Sequence, residues 1–224
     1  MNKDLYQKIK TKYPEVDIVM ASKYLTTLAD FKPFLEAELY DFGENRDDAF
    51  TEKRDLLKDY PIKWHFIGTL QTKKVKKVIN DIAILHSLDR LKLAYEIDKR
   101  RTSPLPCYLQ VNVSRESQKH GFYPDELPNV IKKINALHNI QLVGLMGMAE
   151  ETTEEMVIRS QFQLLKELRD KYQHEVPSLT GLSMGMSQDY HIALEVGTTV
   201  LRLGRILLNG GTVWEGKKNP HMTV

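Results

Sequence analysis

The sequence carries a single cysteine, Cys107. That excludes an internal disulfide and any cluster of thiolate metal ligands, and it fits a reducing cytosol. A charge excess of one sign is also missing: 32 Lys and Arg stand against 30 Asp and Glu, a formal net charge of +2. No attraction of the whole surface to nucleic acid or membrane follows from such a balance. No apolar run approaches the roughly 20 residues that span a bilayer. The opening Met1-Asn2-Lys3-Asp4-Leu5 is charged and lacks the apolar stretch of a signal peptide. A cytoplasmic location is therefore expected. No strand-like run is followed by Gly-x-Gly-x-x-Gly, which weakens the dinucleotide-binding form of an open sheet. Among seven histidines, no histidine–carboxylate spacing forms a convincing metal site.

With 224 residues, 42% of them hydrophobic and 28% charged, the chain can bury a full core as one domain, expected to run over 1–224. Short apolar, β-branched runs alternate with longer helix-like segments throughout, the pattern of a parallel sheet covered by helices. Eight strands are predicted: Asp17–Ala21, Leu39–Phe42, Trp64–Ile67, Ala83–His86, Cys107–Val113, Gln141–Met146, Leu179–Met184 and Thr199–Leu203. The clearest helix is Glu154–Tyr172, with Met156, Phe162, Leu165, Leu168 and Tyr172 at the spacing of a buried face and Thr153 as its cap. A second is Asp125–Leu137, with Pro128 in its first turn. Eight βα units in this length predict an α/β fold, a single (β/α)₈ TIM-type barrel with an additional N-terminal helix. In such a barrel the loops after the strands build the site.

Lys23 directly follows the first predicted strand, where a barrel keeps reactive groups over its pore, partly screened from water. Desolvation lowers a lysine pKa, and an amine so adjusted can hold an aldehyde as an imine. Most lysines are solvated surface groups, so other residues must support this reading. Gly181-Leu182-Ser183-Met184-Gly185-Met186-Ser187 after strand seven and Gly204 after strand eight offer small residues and backbone N–H groups where barrels bind phosphate. The plainer alternative is a pair of ordinary tight turns.

These segments, together with Phe42-Gly43-Glu44-Asn45-Arg46, Trp64-His65-Phe66-Ile67-Gly68, His86-Ser87-Leu88-Asp89, Lys119-His120-Gly121 and Arg202-Leu203-Gly204, resemble the pyridoxal phosphate homeostasis proteins. The single domain of that family is similar to the barrel of alanine racemase. The resemblance implies pyridoxal 5'-phosphate as cofactor, held as a Schiff base (internal aldimine) on Lys23. It further implies that Ser183 and the backbone around Gly204 and Arg205 hold the phosphate, that Asn45 lies beside the ring, and that Arg202 faces the pyridine nitrogen. Arginine does not readily give up a proton, which leaves that nitrogen unprotonated and the cofactor a weak electron sink. The second base of the racemases comes from an additional domain, and Ile206 to Val224 contain no tyrosine. A carrier or regulator of the cofactor is expected, not a strong catalyst, and a racemase or lyase using the same lysine is the alternative. Expected partners are pyridoxal phosphate and apoenzymes that need it, with the chain a monomer or weak dimer.

Some positions depart from the family's pattern. Leu25-Thr26 stands where a proline often follows the lysine, Asp47-Asp48-Ala49 and Lys73 replace usual residues, and Arg205-Ile206-Leu207-Leu208-Asn209 replaces a smaller ending. Other signals are set aside. Gly181-Leu182-Ser183-Met184-Gly185 fits a hydrolase nucleophile elbow, but Asp189 and His191 lie too close to the serine and His221 too far. Lys73-Lys74-Lys76-Lys77 could meet a phosphate backbone, but a solvated helix face is the favoured reading, since no aromatic residues interleave the lysines. Lys119, placed at the end of strand five, stands near enough to the mouth to reach the cofactor. His65 is expected to pack in the barrel interior, and His120, His138 and His174 in loops or near helix ends.

Overall fold

The computed structural model describes residues 1–208; Asn209 and His221 lie outside them. Helix α1 (Lys3–Lys12) precedes the barrel. Strands and helices then alternate: β1 (Asp17–Ala21), α2 (Leu28–Leu35), β2 (Asp41–Glu44), α3 (Asp47–Leu56), β3 (Lys63–Phe66), β4 (Ile84–Leu88), α4 (Leu91–Arg100), β5 (Leu105–Gln110), α5 (Leu127–Asn135), β6 (Ile140–Met146), α6 (Glu155–Gln173), β7 (Gly181–Ser183), α7 (Tyr190–Val196), β8 (Val200–Leu203) and α8 (Arg205–Leu208). Short 3₁₀ turns cover Ser22–Tyr24, Thr72–Lys77 and Pro124–Glu126. The strands form a closed barrel in chain order. β1 pairs in parallel with β8, setting Val19 against Arg202 and Met20 against Leu203. The predicted (β/α)₈ barrel with an N-terminal helix is thus the fold.

Each strand puts alternate residues on opposite faces. Outward ones, such as Ile18, Met20 and Phe42, join the large core beneath the helices. On α5, Leu127, Val130, Ile131 and Ile134 are buried, the three- and four-residue spacing that covers one helix face. On α6 the buried set is Ile158, Phe162, Leu165, Leu168 and Tyr172. Met156 is 77% exposed, so Ile158 takes the place expected for it in the stripe. Thr153 is not the cap either. Glu154 precedes the helix without a side-chain cap, and Thr152 Oγ1 accepts from Glu154 N at 3.2 Å.

Inside the barrel, Val19, Tyr108, Met146 and Val200 make a separate small cluster. Tyr108 fits because two neighbouring positions are glycine: a Cβ on Gly144 or Gly181 would lie 2.6 Å or 2.7 Å from its ring. Of the predicted strands, Asp17–Ala21 matches to the residue, the others differ by one to three residues at an end, and β2 and β5 are shifted most. Leu39 N donates to Phe34 O at 3.0 Å, which uses it to close α2 and delays β2 to Asp41. β5 starts early because Leu105 N donates to Asn139 O at 3.0 Å, and it ends at Gln110. Lys119 therefore lies well beyond the strand, in the loop that leads to α5. α1 is tied down where Asn2 N donates to Leu207 O at 2.7 Å.

Candidate functional site

Lys23 owes its place to a buried ion pair that does not include it. Glu44 ends β2 and pairs with Lys53 of α3; their side chains are 1% and 7% exposed. Lys53 Nζ also donates to Ser22 O at 2.6 Å, Ser22 Oγ lies 2.8 Å from Glu44 Oε1, and Asn45 N donates to Glu44 Oε2 at 3.1 Å. One carboxylate thus fixes two adjacent loops at the mouth, at Ser22 after β1 and at Asn45 after β2. Lys23 follows on the 3₁₀ turn. Its side chain is exposed, with Nζ 5.4 Å from the centre of the Tyr24 ring. The partial screening expected from its sequence position is absent: on this turn the side chain lines the cavity but stays exposed.

On the other side, β7 ends at Ser183 and the chain turns through Gly185 at φ +95°. A Cβ there would lie 2.6 Å from Ala193 Cβ and 2.7 Å from Leu201 Cδ2, so the turn requires glycine. Asp189 Oδ1 accepts from Met186 N at 2.6 Å, and burial raises its pKa against that bond. Ser187 Oγ accepts from Gly204 N at 3.4 Å, joining the loops after β7 and β8. Arg205 is exposed and opens α8. Arg202 is buried; its Nη1 donates to Ser183 O and Oγ, both at 2.7 Å, and Nη2 donates to Gly147 O at 3.2 Å. Burial pulls its pKa down to about 10, opposed by the charge of Asp189.

Ser183 itself is fully buried. Its Oγ lies 2.8 Å from His86 Nδ1. His86 Nε2 lies 2.8 Å from His65 Nδ1, and His65 Nε2 lies 2.8 Å from Asp41 Oδ1. Burial depresses the pKa of both rings, of His65 despite the Asp41 carboxylate and of His86 well below its ordinary value. A serine touching a histidine suits a hydrolase, but this hydroxyl is sealed in and already accepts from Arg202.

A cavity of about 380 Å³ opens over these loops. It brings together Lys23, Asn45 and Arg202, along with Gln110, Lys119 and His120. Ser183 is not in its wall, and neither are Gly204 and Arg205, which belong to the adjoining loop. Among the described lining residues, two lysines and an arginine face the space and no carboxylate does. That donor set suits an anionic ligand with an electrophilic centre, the charge and reactivity of a phosphorylated aldehyde. The lysine cluster is largely spent elsewhere, since Lys74 and Lys77 pair with Asp47 at 3.0 Å and 3.6 Å.

Sequence reasoning missed Lys53, Glu44 and His86 as site-building residues, and within the segment after strand seven it singled out Ser183 and not Ser187. A signal for Lys53 existed, because it shares a helix face with Phe50 and Leu57 at three- and four-residue spacing, an odd place for a lysine unless it is paired. His86 gave none, since its partners, His65, Tyr108 and Ser183, come from three other strands.

Residues 8–210 match the family described as the alanine racemase N-terminal domain. The pyridoxal phosphate homeostasis protein of Aquifex aeolicus is 39% identical over 180 residues, 79% of each chain. The protein of that name from Helicobacter pylori (strain 26695) is 34% identical over 209 residues, 90% of this chain and 92% of the relative. Among solved structures, PipY of Synechococcus elongatus with PLP bound is 26% identical with a TM-score of 0.84, over 93% of this chain and 100% of that one. Alanine racemase of Clostridium difficile is 17% identical with a TM-score of 0.72, over 92% of this chain and 55% of that one, a likeness of fold alone.

Lys53→Met strands the Glu44 charge in the interior and should cost about 3–5 kcal/mol in urea unfolding, whereas Lys53→Met with Glu44→Gln should cost clearly less. His65 and His86 are held neutral, so the unfolded chain binds protons that the folded one does not below their ordinary value of 6.5. Stability should be complete above that pH and fall from pH 7 to 5.5, by up to about 1.4 kcal/mol per pH unit for each ring. His86→Gln should make the fall shallower in the same unfolding series.

Proposed function

Because the chain belongs to the pyridoxal phosphate homeostasis protein family, on the fold of the alanine racemase N-terminal domain, we propose that it binds pyridoxal 5'-phosphate, holds it covalently through Lys23 and releases it with little or no turnover. The observation that carries this reading is the cavity whose described lining offers an exposed lysine amine, a buried guanidinium and no carboxylate. The cofactor supplies an aldehyde, the group that a lysine amine can hold covalently with loss of water.

Each residue then has a role that its chemistry allows. Lys23 anchors the aldehyde, and Asn45, fixed through Glu44, lies beside the ring. Arg202 is turned toward the ring nitrogen. Three of its five N–H groups are taken by Ser183 and Gly147, and among the described residues two remain for a ligand. The joined loops after β7 and β8, with Ser187, Gly204 and Arg205, receive the phosphate. Ser183 acts behind Arg202 and does not touch the cofactor.

Low turnover follows from the same set. A guanidinium donates a hydrogen bond without surrendering its proton, so the ring draws electrons weakly. Of the other described proton-transfer groups on the wall, Lys119 Nζ is held by Ala149 O at 2.8 Å and pairs with Glu116 at 2.5 Å. His120 is 62% exposed. Lys119 is committed to those acceptors and His120 is largely solvated, so neither is read as the base that racemisation needs opposite the lysine. We read the chain as one cytoplasmic barrel domain that buffers the cofactor for apoenzymes. Among the described residues no helix is long and apolar enough to cross a membrane.

Incubation with pyridoxal phosphate should produce an absorbance band that Lys23→Ala lacks. The loaded protein should restore activity to a pyridoxal phosphate-requiring apoenzyme while leaving the enantiomer ratio of common amino acids unchanged. No band in the wild type would remove the binding claim, and rapid racemisation would replace the carrier with an enzyme.

A further inference from the structure

The barrel interior holds five polar groups in an unbroken hydrogen-bonded line: Asp41, His65, His86, Ser183 and Arg202, with every link between 2.7 Å and 2.8 Å. They come from five strands, β2, β3, β4, β7 and β8. The line starts at the opening residue of β2, at the end of the barrel away from the cavity, and finishes on the cavity floor. His65, His86, Ser183 and Arg202 are all buried. The Tyr108 ring stacks on His86, with centroids 4.6 Å apart and planes 18° from parallel, which restrains the middle of the chain.

With both rings neutral, as their burial favours, the two ends settle which way every hydrogen points. A guanidinium has only donors and a carboxylate only acceptors. Arg202 must therefore donate to Ser183 Oγ, and His65 must carry its hydrogen on Nε2 for Asp41. A neutral imidazole has one donor and one acceptor, so His65 Nδ1 accepts and His86 Nε2 donates. His86 Nδ1 is left to accept from the Ser183 hydroxyl. Every group is satisfied, neither ring is charged, and all the bonds point from cation to anion. Bonds so aligned polarise one another in a low-dielectric interior. Reversing the direction would leave the carboxylate facing a lone pair and the guanidinium facing a hydroxyl hydrogen.

We propose that His65, His86 and Ser183 are positioning residues that hold the Arg202 guanidinium in one orientation beneath the cavity. This rests on the reading that pyridoxal phosphate binds there, with its ring nitrogen toward Arg202. The line makes Arg202 a donor that cannot turn away, which an arginine reaching in from a mobile loop would not be. It also explains why the hydroxyl after β7 is spent inside the barrel, leaving the hydroxyl work at the mouth to Ser187.

Two measurements test this. In ¹⁵N NMR of the protein without added cofactor at pH 7, both rings should be neutral with the hydrogen on Nε2; an Nδ1–H tautomer or an imidazolium on either ring would overturn the proposal. In titrations with pyridoxal phosphate, Ser183→Ala should bind about tenfold more weakly, the loss of one charge-assisted contact, and shift the absorbance band. Ser183→Thr, which keeps the hydroxyl, should return both toward wild type. A purely structural serine would cost stability without moving the band, and wild-type affinity and band in Ser183→Ala would contradict the proposal. If Ser183→Ala does not unfold cooperatively, the tautomers decide. Absence of any band in the wild type would count against pyridoxal phosphate binding, and the tautomers would still decide the direction of the line.

Discussion

Closure of the sheet between β1 and β8 is the constraint on which the site depends. Bringing together segments near opposite ends of the chain costs roughly 5 kcal/mol of loop entropy, which no single contact in the cavity could offset. The whole barrel does so, through eight paired strands and the apolar surface buried under their helices. Once Val19 lies against Arg202, Lys23 and Arg202 must share one mouth. Their proximity is a product of topology, so the two residues need no direct contact to form a site.

Two buried polar systems then give that mouth its shape, and they work differently. Around Glu44 an ion pair is closed on itself: Lys53, Ser22 and the Asn45 amide consume the carboxylate and freeze the two loops. Along the interior a chain of neutral rings keeps its ends charged, with Arg202 at the cavity. Both burials would be costly if incomplete. Both are satisfied, and Lys23, on the turn that the ion pair fixes, keeps its amine exposed.

The barrel was legible in the sequence because alternating strand and helix patterns are local, and so are the stripes on α5 and α6. Lys23, Asn45 and Arg202 were legible because each sits next to a strand end, and the cavity gathers all three. Ser183 was legible as a strand-end residue but not as a buried one. Whether the hydroxyl at Ser183 or at Ser187 meets the mouth depends on inward and outward alternation around a three-residue strand, which boundary errors of one or two residues obscure. The screening expected for Lys23 also failed, because it sits on a 3₁₀ turn beyond the strand end, where its side chain is exposed. His86 and Lys53 depend on partners from other elements, and a pattern along one chain does not display those.

The most direct measurement is peptide mapping after borohydride reduction of the protein loaded with pyridoxal phosphate. The pyridoxyl mass should fall on the peptide that contains Lys23, at near one equivalent per chain. Modification spread over surface lysines, or concentrated on Lys119 with Lys23 untouched, would contradict a site organised around the lysine after β1.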